Sequence, residues 1–273
     1  MTTRPLHRPV LSRIRMPGQR MQLTLILVVI FLWSVLSVRS PSSLVHTGGL
    51  GALGEIVSAF FRPDLSPGLL SKVAADAWRT IAFAVTGMTV ALVIGVPAGV
   101  LASGVLQRRS PGGTGVTTIT RGVLAVLRAV HEIVWAILFV AAFGLSPIAG
   151  VLAIGIPYGG ILGRVLAERL QDVPEAPLDA LRTTGAGEAK VLLFGRAPIV
   201  LADVVSYVFY RFECAVRAAA VLSFVGLGGL GFRISIALDD LAFEQVWTAV
   251  FALVLIIIGI DLWSAGVRKR LVS

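Results

Sequence analysis

Six stretches of this chain are long and apolar enough to cross a lipid bilayer, and that limits its fold more than any motif does. Crossing the hydrocarbon core takes about 20 helical residues at ~1.5 Å each. The runs lie at approximately 21–38, 80–106, 126–144, 148–167, 199–224 and 246–266. Backbone N–H and C=O groups must be paired within such a run, and a helix pairs them locally. Only 14% of the residues are charged, where a soluble domain carries about a quarter. The expected fold is an all-α integral membrane protein of about six transmembrane helices.

Orientation follows from the basic residues, which collect on the cytoplasmic side of membrane helices. With the N-terminus inside, segments 1–20, 107–128, 164–198 and 268–273 are cytoplasmic and hold 17 of the 24 Lys and Arg. The external segments hold five, and Arg211 and Arg217 remain within a span. Both termini are therefore expected in the cytoplasm. Arg4, Arg8, Arg13, Arg15 and Arg20 form a basic tail over 1–20, followed by one transmembrane domain over 21–271. The first run is long for a signal-peptide core, and Val38-Arg39-Ser40-Pro41 is a poor cleavage site, so an uncleaved first helix is expected. Segment 39–79 reads as an external loop with a short interfacial helix near Ile56–Phe61. Val116–Leu127 reads as a helix at the inner surface. Gly155, Gly159 and Gly163 recur every four residues in the fourth run, a spacing that lets helix backbones approach closely.

One polar island interrupts the apolar chain. Residues 168–198 carry nine charged side chains in 31 positions. Pro177 suits the first turn of a helix, and Gly185 suits the left-handed stop that ends it. A second short helix is expected over about Ala186–Phe194, with Pro198 restarting the chain toward the next span. Two short helices hinged at a glycine would form a knob on the cytoplasmic side. This layout resembles the coupling-loop signature of ABC importer permeases, Glu-Ala-Ala, three residues, Gly, nine residues, Ile-x-Leu-Pro. Asp179, Ala180 and Leu181 stand at the Glu-Ala-Ala positions, Gly185 and Pro198 fall at the expected offsets, and Gly195 and Ala197 replace Ile and Leu. The resemblance implies insertion of the knob into a separate ATPase subunit.

The ionisable residues inside the runs come next, since each charge facing lipid costs about 2.5–3.5 kcal/mol on the mild insertion scale. Arg211, Glu213 and Arg217 share the fifth run. Glu213 and Arg217 are four apart, hence on one helix face and able to pair. Arg128 and Glu132 have the same spacing near the inner end of the third run and can pair on one face there. Inward-facing Arg128, Arg211 and Arg217 would suit a small oxyanion, because a guanidinium fork matches phosphate-type oxygens in pairs. Arg128, Glu132, Arg211, Glu213 and Arg217 are thus candidates for a translocation path. The other reading is of buried ion pairs that hold helices together.

Other chemistries find little support. Gly49-x-Gly51-x-x-Gly54 and Gly226-x-Gly228-x-x-Gly231 satisfy the dinucleotide fingerprint in letters, but neither lies in a βαβ unit that would aim a helix N-terminus at a pyrophosphate. The second reads instead as a turn at the outer surface. Cys214 is the single cysteine, so neither an internal disulfide nor a cysteine metal site is expected. His131 alone reads as a polar helix contact. No nucleophile triad, zinc spacing or P-loop is visible, so no catalytic residue, metal site or cofactor of its own is expected. The net charge of +9 sits at the ends of apolar runs, an arrangement that fits a bilayer and argues against nucleic acid.

Several further motifs resemble the phosphonate ABC transporter permease family. They are Phe60-Phe61-Arg62-Pro63-Asp64-Leu65-Ser66, Arg79-Thr80 and Arg128-Ala129-Val130-His131-Glu132-Ile133-Val134-Trp135. Tyr210-Arg211-Phe212-Glu213 with Arg217, and Val225 to Gly231, complete the set. His131 stands where that family usually has proline, so the residue that would kink the third helix is missing. The resemblance covers about 60–271. It implies a type I importer fold, a homodimer of permeases, two ABC ATPase subunits that bind ATP and magnesium, an extracytoplasmic substrate-binding protein, and the bacterial inner membrane. Methionine-type import is the nearest alternative within that class. An ion-coupled carrier using Glu132 and Glu213, or a membrane scaffold whose charges are structural, are the alternatives outside it.

Overall fold

The structure is a computed structural model that describes residues 17–38, 49–107 and 112–272. Its described residues are helical, with no strand among them. The chain divides into two units, residues 1–54 and 55–273. In the first unit, α1 (Pro17–Val38) is apolar on every face and exposed along its length, as a helix immersed in lipid would be. Five helices are long and apolar enough to span a membrane, or six if one sharply bent pair is counted as a span.

Residues 55–273 hold a bundle whose centre is α3 (Pro67–Ser103) against α6 (Pro147–Gln171). The expected close approach occurs, and glycines on both helices make it. A Cβ at Gly95 would lie 2.9 Å from the Gly159 carbonyl oxygen, and one at Gly99 would lie 2.7 Å from that of Gly163. Gly155 in turn receives the Val90 side chain. Dispersion across this seam depends on direct backbone contact, because helices in lipid gain no hydrophobic drive to associate.

Two spans differ from the sequence expectation. α3 begins at Pro67, well before position 80, because Pro67 opens the helix and Ser66 precedes it. Proline's missing N–H is harmless in a first turn, so polar Lys72, Asp76 and Arg79 extend the span outward as helix instead of loop. The third run is not one straight helix. α4 (Gly113–Ala129) and α5 (Glu132–Phe143) meet at 89°. Val130 is extended, and His131 caps α5 by accepting a hydrogen bond from the Ile133 N–H at Nδ1, 3.3 Å away. The bend thus needs no proline. An imidazole acceptor and the acidic Glu132 in the first turn start the new helix instead. Val116–Leu127 lies inside α4 and is helical, as expected.

The outer end is held by the part of α2 (Gly49–Ala59) from Glu55 onward, α10 (Leu230–Asp239) and the start of α11 (Phe243–Val272). Trp247 Nε1 donates to the Ile56 carbonyl at 2.7 Å, and Arg233 meets Asp76 at 2.6 Å. The glycine-rich stretch before α10 is the expected turn. Gly228 and Gly229 have φ of +80° and +101°, and a Cβ there would meet the Arg79 guanidinium at 2.7 Å or Thr80 Oγ1 at 2.8 Å. Thr80 Oγ1 also accepts from the Leu230 N–H at 3.0 Å. Neither glycine motif follows a strand, and the first lies within α2. Ser110 and Pro111 of the inner turn, and residues 39–48 of the outer loop, fall outside the described residues.

Candidate functional site

The polar island folds as a braced knob. α7 (Glu175–Thr183) places Pro177 in its first turn, and Gly185 follows at φ +82°. A residue with a Cβ is strained there. The second half departs from expectation. α8 (Glu188–Lys190) does not end near Phe194 but continues through a π-helical segment, Val191–Arg196, into α9 (Ala197–Leu222). Pro198 therefore sits inside a continuous helical rod. Its lack of an N–H is absorbed because the π segment already shifts the bonding, with the Ala197 N–H donating to the Leu192 carbonyl five residues back.

Two arginines that the motif reading did not single out hold the knob together. Arg182 donates to Glu175 and Asp179 at 2.8 Å each, and to both oxygens of Glu188 at 3.2 and 3.3 Å. These three carboxylates, Glu175 foremost, raise its guanidinium pKa further above its usual value. Arg196 is buried at the root of the knob, donating to the Leu170 carbonyl and, at 2.9 Å, to Glu175. Beneath them Leu170, Val173, Leu178, Val191 and Val200 form a small core. A Cβ at Gly195 would strike Leu178 and Leu181 at 2.8 and 2.9 Å, so glycine replaces the usual Ile to admit α7. Asp179 keeps 66% of its side chain exposed despite its bond to Arg182. Ala180 and Gly185 are exposed beside it, while Leu181 is half-buried and Pro198 is exposed at the start of α9.

Within the bundle the candidate charges sort differently from the sequence expectation. Glu213 does not pair with Arg217. It is buried and accepts from Arg268 of α11, which also donates to Ser264 at 3.1 Å. Arg217 instead faces Asp261 of α11 at 3.5 Å. The two pairs therefore stitch α9 to α11. Arg128 and Glu132 are parted by the 89° bend and make no ion pair. Glu132 lies 3.7 Å from His131 Nε2, and Arg128 lines a cavity at the inner end.

What does converge around Arg211 of α9 is a set of aromatic side chains, Tyr207 and Tyr210 on its own helix with Tyr158 of α6 and Trp135 of α5 in the adjoining core. Tyr158 went unnoticed in the sequence because a single Tyr in an apolar run carries no motif. Arg211 donates from Nε to Tyr207 Oη at 2.8 Å and lies over the Tyr207 and Tyr210 rings at 5.3 and 5.7 Å. Tyrosine faces stabilise a cation where water is scarce, and the terminal nitrogens of that guanidinium make no hydrogen bond among the described residues. Trp135 Nε1, on α5 in the same core, is a buried donor without a partner among the described residues. The Arg211 fork, the Tyr158 hydroxyl and the Trp135 N–H are the polar groups that α9, α6 and α5 bring to this core. Among the described residues no group of His, Cys, Asp and Glu could hold a metal ion.

Comparison with known proteins adds the family. The chain is 34% identical over 220 residues to HtxC of Stutzerimonas stutzeri, provisionally assigned to phosphite transport, covering 81% of this chain and 76% of the relative. It is 32% identical over 222 residues to the phosphite transport system permease protein PtxC of the same organism, covering 81% and 78%. The phosphate-import permease protein PhnE of Mycolicibacterium smegmatis is 32% identical over 74% of this chain and 37% of its own length. The fold is similar to the MetNI methionine ABC transporter in inward-facing form, with a TM-score of 0.66 at 17% identity, over 76% of this chain and 99% of that one. Residues 95–273 match the family described as binding-protein-dependent transport system inner membrane component. With that match over most of the bundle and apolar helices enough for repeated crossings, the chain belongs to this family and is a multi-pass permease component of the inner membrane.

Proposed function

We propose that the chain is the membrane-spanning subunit of an ATP-driven importer for phosphite, phosphonate or a related phosphorus oxyanion. Two ATPase subunits, which bind ATP and magnesium, grip the knob of each of two permease copies, and an extracytoplasmic binding protein delivers the anion. The substrate class comes from the relatives named for phosphite and phosphate, and Arg211, held by Tyr207 with Arg217 six residues further along α9, offers matching chemistry.

One observation carries the coupling. Arg182 ties α7 to α8, and α8 runs through the π segment into α9, which holds Arg211 and Arg217. A push on the exposed face around Asp179, Ala180 and Gly185 therefore reaches the anion cluster along one rod with no slack joint. Leu181 backs that face from beneath, and Pro198 lies at the start of the rod.

Reconstitution in proteoliposomes with candidate ATPase and binding-protein subunits tests this. Asp179→Lys and Gly185→Pro should leave the protein in the membrane and ATP turnover measurable while uptake is lost. Normal uptake by either assembled variant refutes the coupling role. Uptake without any ATPase that collapses with an uncoupler establishes an ion-coupled carrier instead. Arg211→Gln should lower uptake of phosphorus oxyanions while knob-dependent ATPase binding persists, and unchanged uptake removes Arg211 from the path.

A further inference from the structure

Arg128 takes no part in the Tyr158 cluster. It lines a cavity of about 300 Å³ at the inner end of the bundle, with Arg121 of α4, and Arg164, Glu168 and Gln171 of α6. The cavity is built by close packing. A Cβ at Gly160 would lie 2.9 Å from Leu127 Cβ, and one at Gly163 would lie 2.9 Å from Leu124, so α4 is pressed directly onto α6. Arg121 and Arg128 are seven residues apart, on one face of α4, and that packing turns both toward the last two turns of α6.

Three guanidinium groups face one carboxylate there. Arg164 uses Nε on Glu168 at 2.7 Å, and Arg121 uses Nε on the Ala102 carbonyl at 2.8 Å. Arg128 makes no side-chain hydrogen bond or ion pair among the described residues, and the terminal nitrogens of the other two are likewise uncommitted. The opposite face of α4 presents Val116, Ile119, Val123 and Val126, all exposed and spaced as one helical stripe. α4 packs along the last turns of α6, with Leu127 at Gly160, Leu124 at Gly163 and Arg121 beside Ala167. Its apolar stripe therefore faces away from the bundle, toward acyl chains, and its arginines stand at the end of α6 that leads into the knob, at headgroup depth.

We propose that this cavity binds a phosphate group, supplied by the headgroup of an anionic phospholipid of the inner leaflet. Its formal excess of two positive charges suits an anion, guanidinium forks match phosphate oxygens, and basic pockets between helices on the cytoplasmic side are suited to lipid headgroups. The site is separate from the Tyr158 cluster and does not depend on which solute is carried.

Native mass spectrometry of the intact chain, with any subunits that copurify, tests this in micelles containing equal phosphatidylglycerol and phosphatidylcholine. At about fivefold per guanidinium near a membrane surface, Arg121→Gln with Arg128→Gln should cut phosphatidylglycerol retention relative to phosphatidylcholine about 25-fold. Arg128→Gln alone should cut it about fivefold, which covers the case in which the double variant does not fold. Arg169→Gln should leave it unchanged, since Arg169 faces Asp203 and does not line the cavity. Equal retention of the two lipids by the wild type overturns the proposal. So does undiminished preference in a folded Arg128→Gln variant. A parallel titration with inorganic phosphate separates the sources: thermal stabilisation by free phosphate, with no phosphatidylglycerol preference, refutes the lipid assignment.

Discussion

Removing Arg182 should loosen the knob while leaving the membrane bundle folded, and the amount follows from its four hydrogen bonds. The fork on Glu188 is the strong one, since that carboxylate is only 11% exposed. A charge-assisted, two-pronged bond contributes about 1.5–3 kcal/mol. The bonds to Glu175 and Asp179 are worth less, because those carboxylates are 46% and 66% exposed, and pairs so solvated contribute about 0.2–1 kcal/mol each. The sum is about 2–5 kcal/mol of local stability, roughly 30- to 4,000-fold in an opening equilibrium. Amide hydrogen exchange across 175–196 reads such local opening directly. Arg182→Ala should speed exchange there by that factor and leave the middles of α3 and α6 unchanged. Arg182→Lys should fall between, because an ammonium carries the charge without the fork. Exchange that is unchanged in Arg182→Ala refutes the bracing argument. An equal effect from Asp179→Ala alone would also refute it, since that removes only the most exposed partner.

Other expectations follow from the same structure. Truncating Glu213 or Arg268 to Ala should each lower thermal stability in detergent by about 3–5 kcal/mol, and a double-mutant cycle should show coupling between them and none between Glu213 and Arg217. Gly95→Leu should abolish the folded yield, because its Cβ would already lie 2.9 Å from the Gly159 carbonyl, whereas Gly259→Ala, with nothing within 4 Å, should be tolerated. Gly185→Ala should cost about 1–2 kcal/mol of knob stability by the same exchange measurement, the strain of an L residue at φ +82°.

The two halves of the knob show where sequence reasoning succeeds and stops. Pro177 and Gly185 act on their own φ angles, so their places in and after α7 were legible residue by residue. The fate of Pro198 was not, because whether a proline ends a helix depends on how the preceding turn redistributes its bonds. The missing proline at His131 misled in the opposite direction. A bend was made there by an imidazole capping the next helix, which a search for helix breakers does not find.

The chain's sequence alone determined that apolar helices dominate the fold and where the knob turns. Those properties rest on run length and the intrinsic angles of Pro and Gly, both of which are local. Only the tertiary structure decided the partners of the buried charges. Spacing by four offered Arg217 to Glu213 and Glu132 to Arg128, yet the rotation of α9 fixed by packing against α3, α6 and α11 gave Glu213 to Arg268 and Arg217 to Asp261. A helix presents every face at once to the sequence reader. Contact with its neighbours chooses which face is buried, and a buried charge then pairs with whatever opposite charge that face meets.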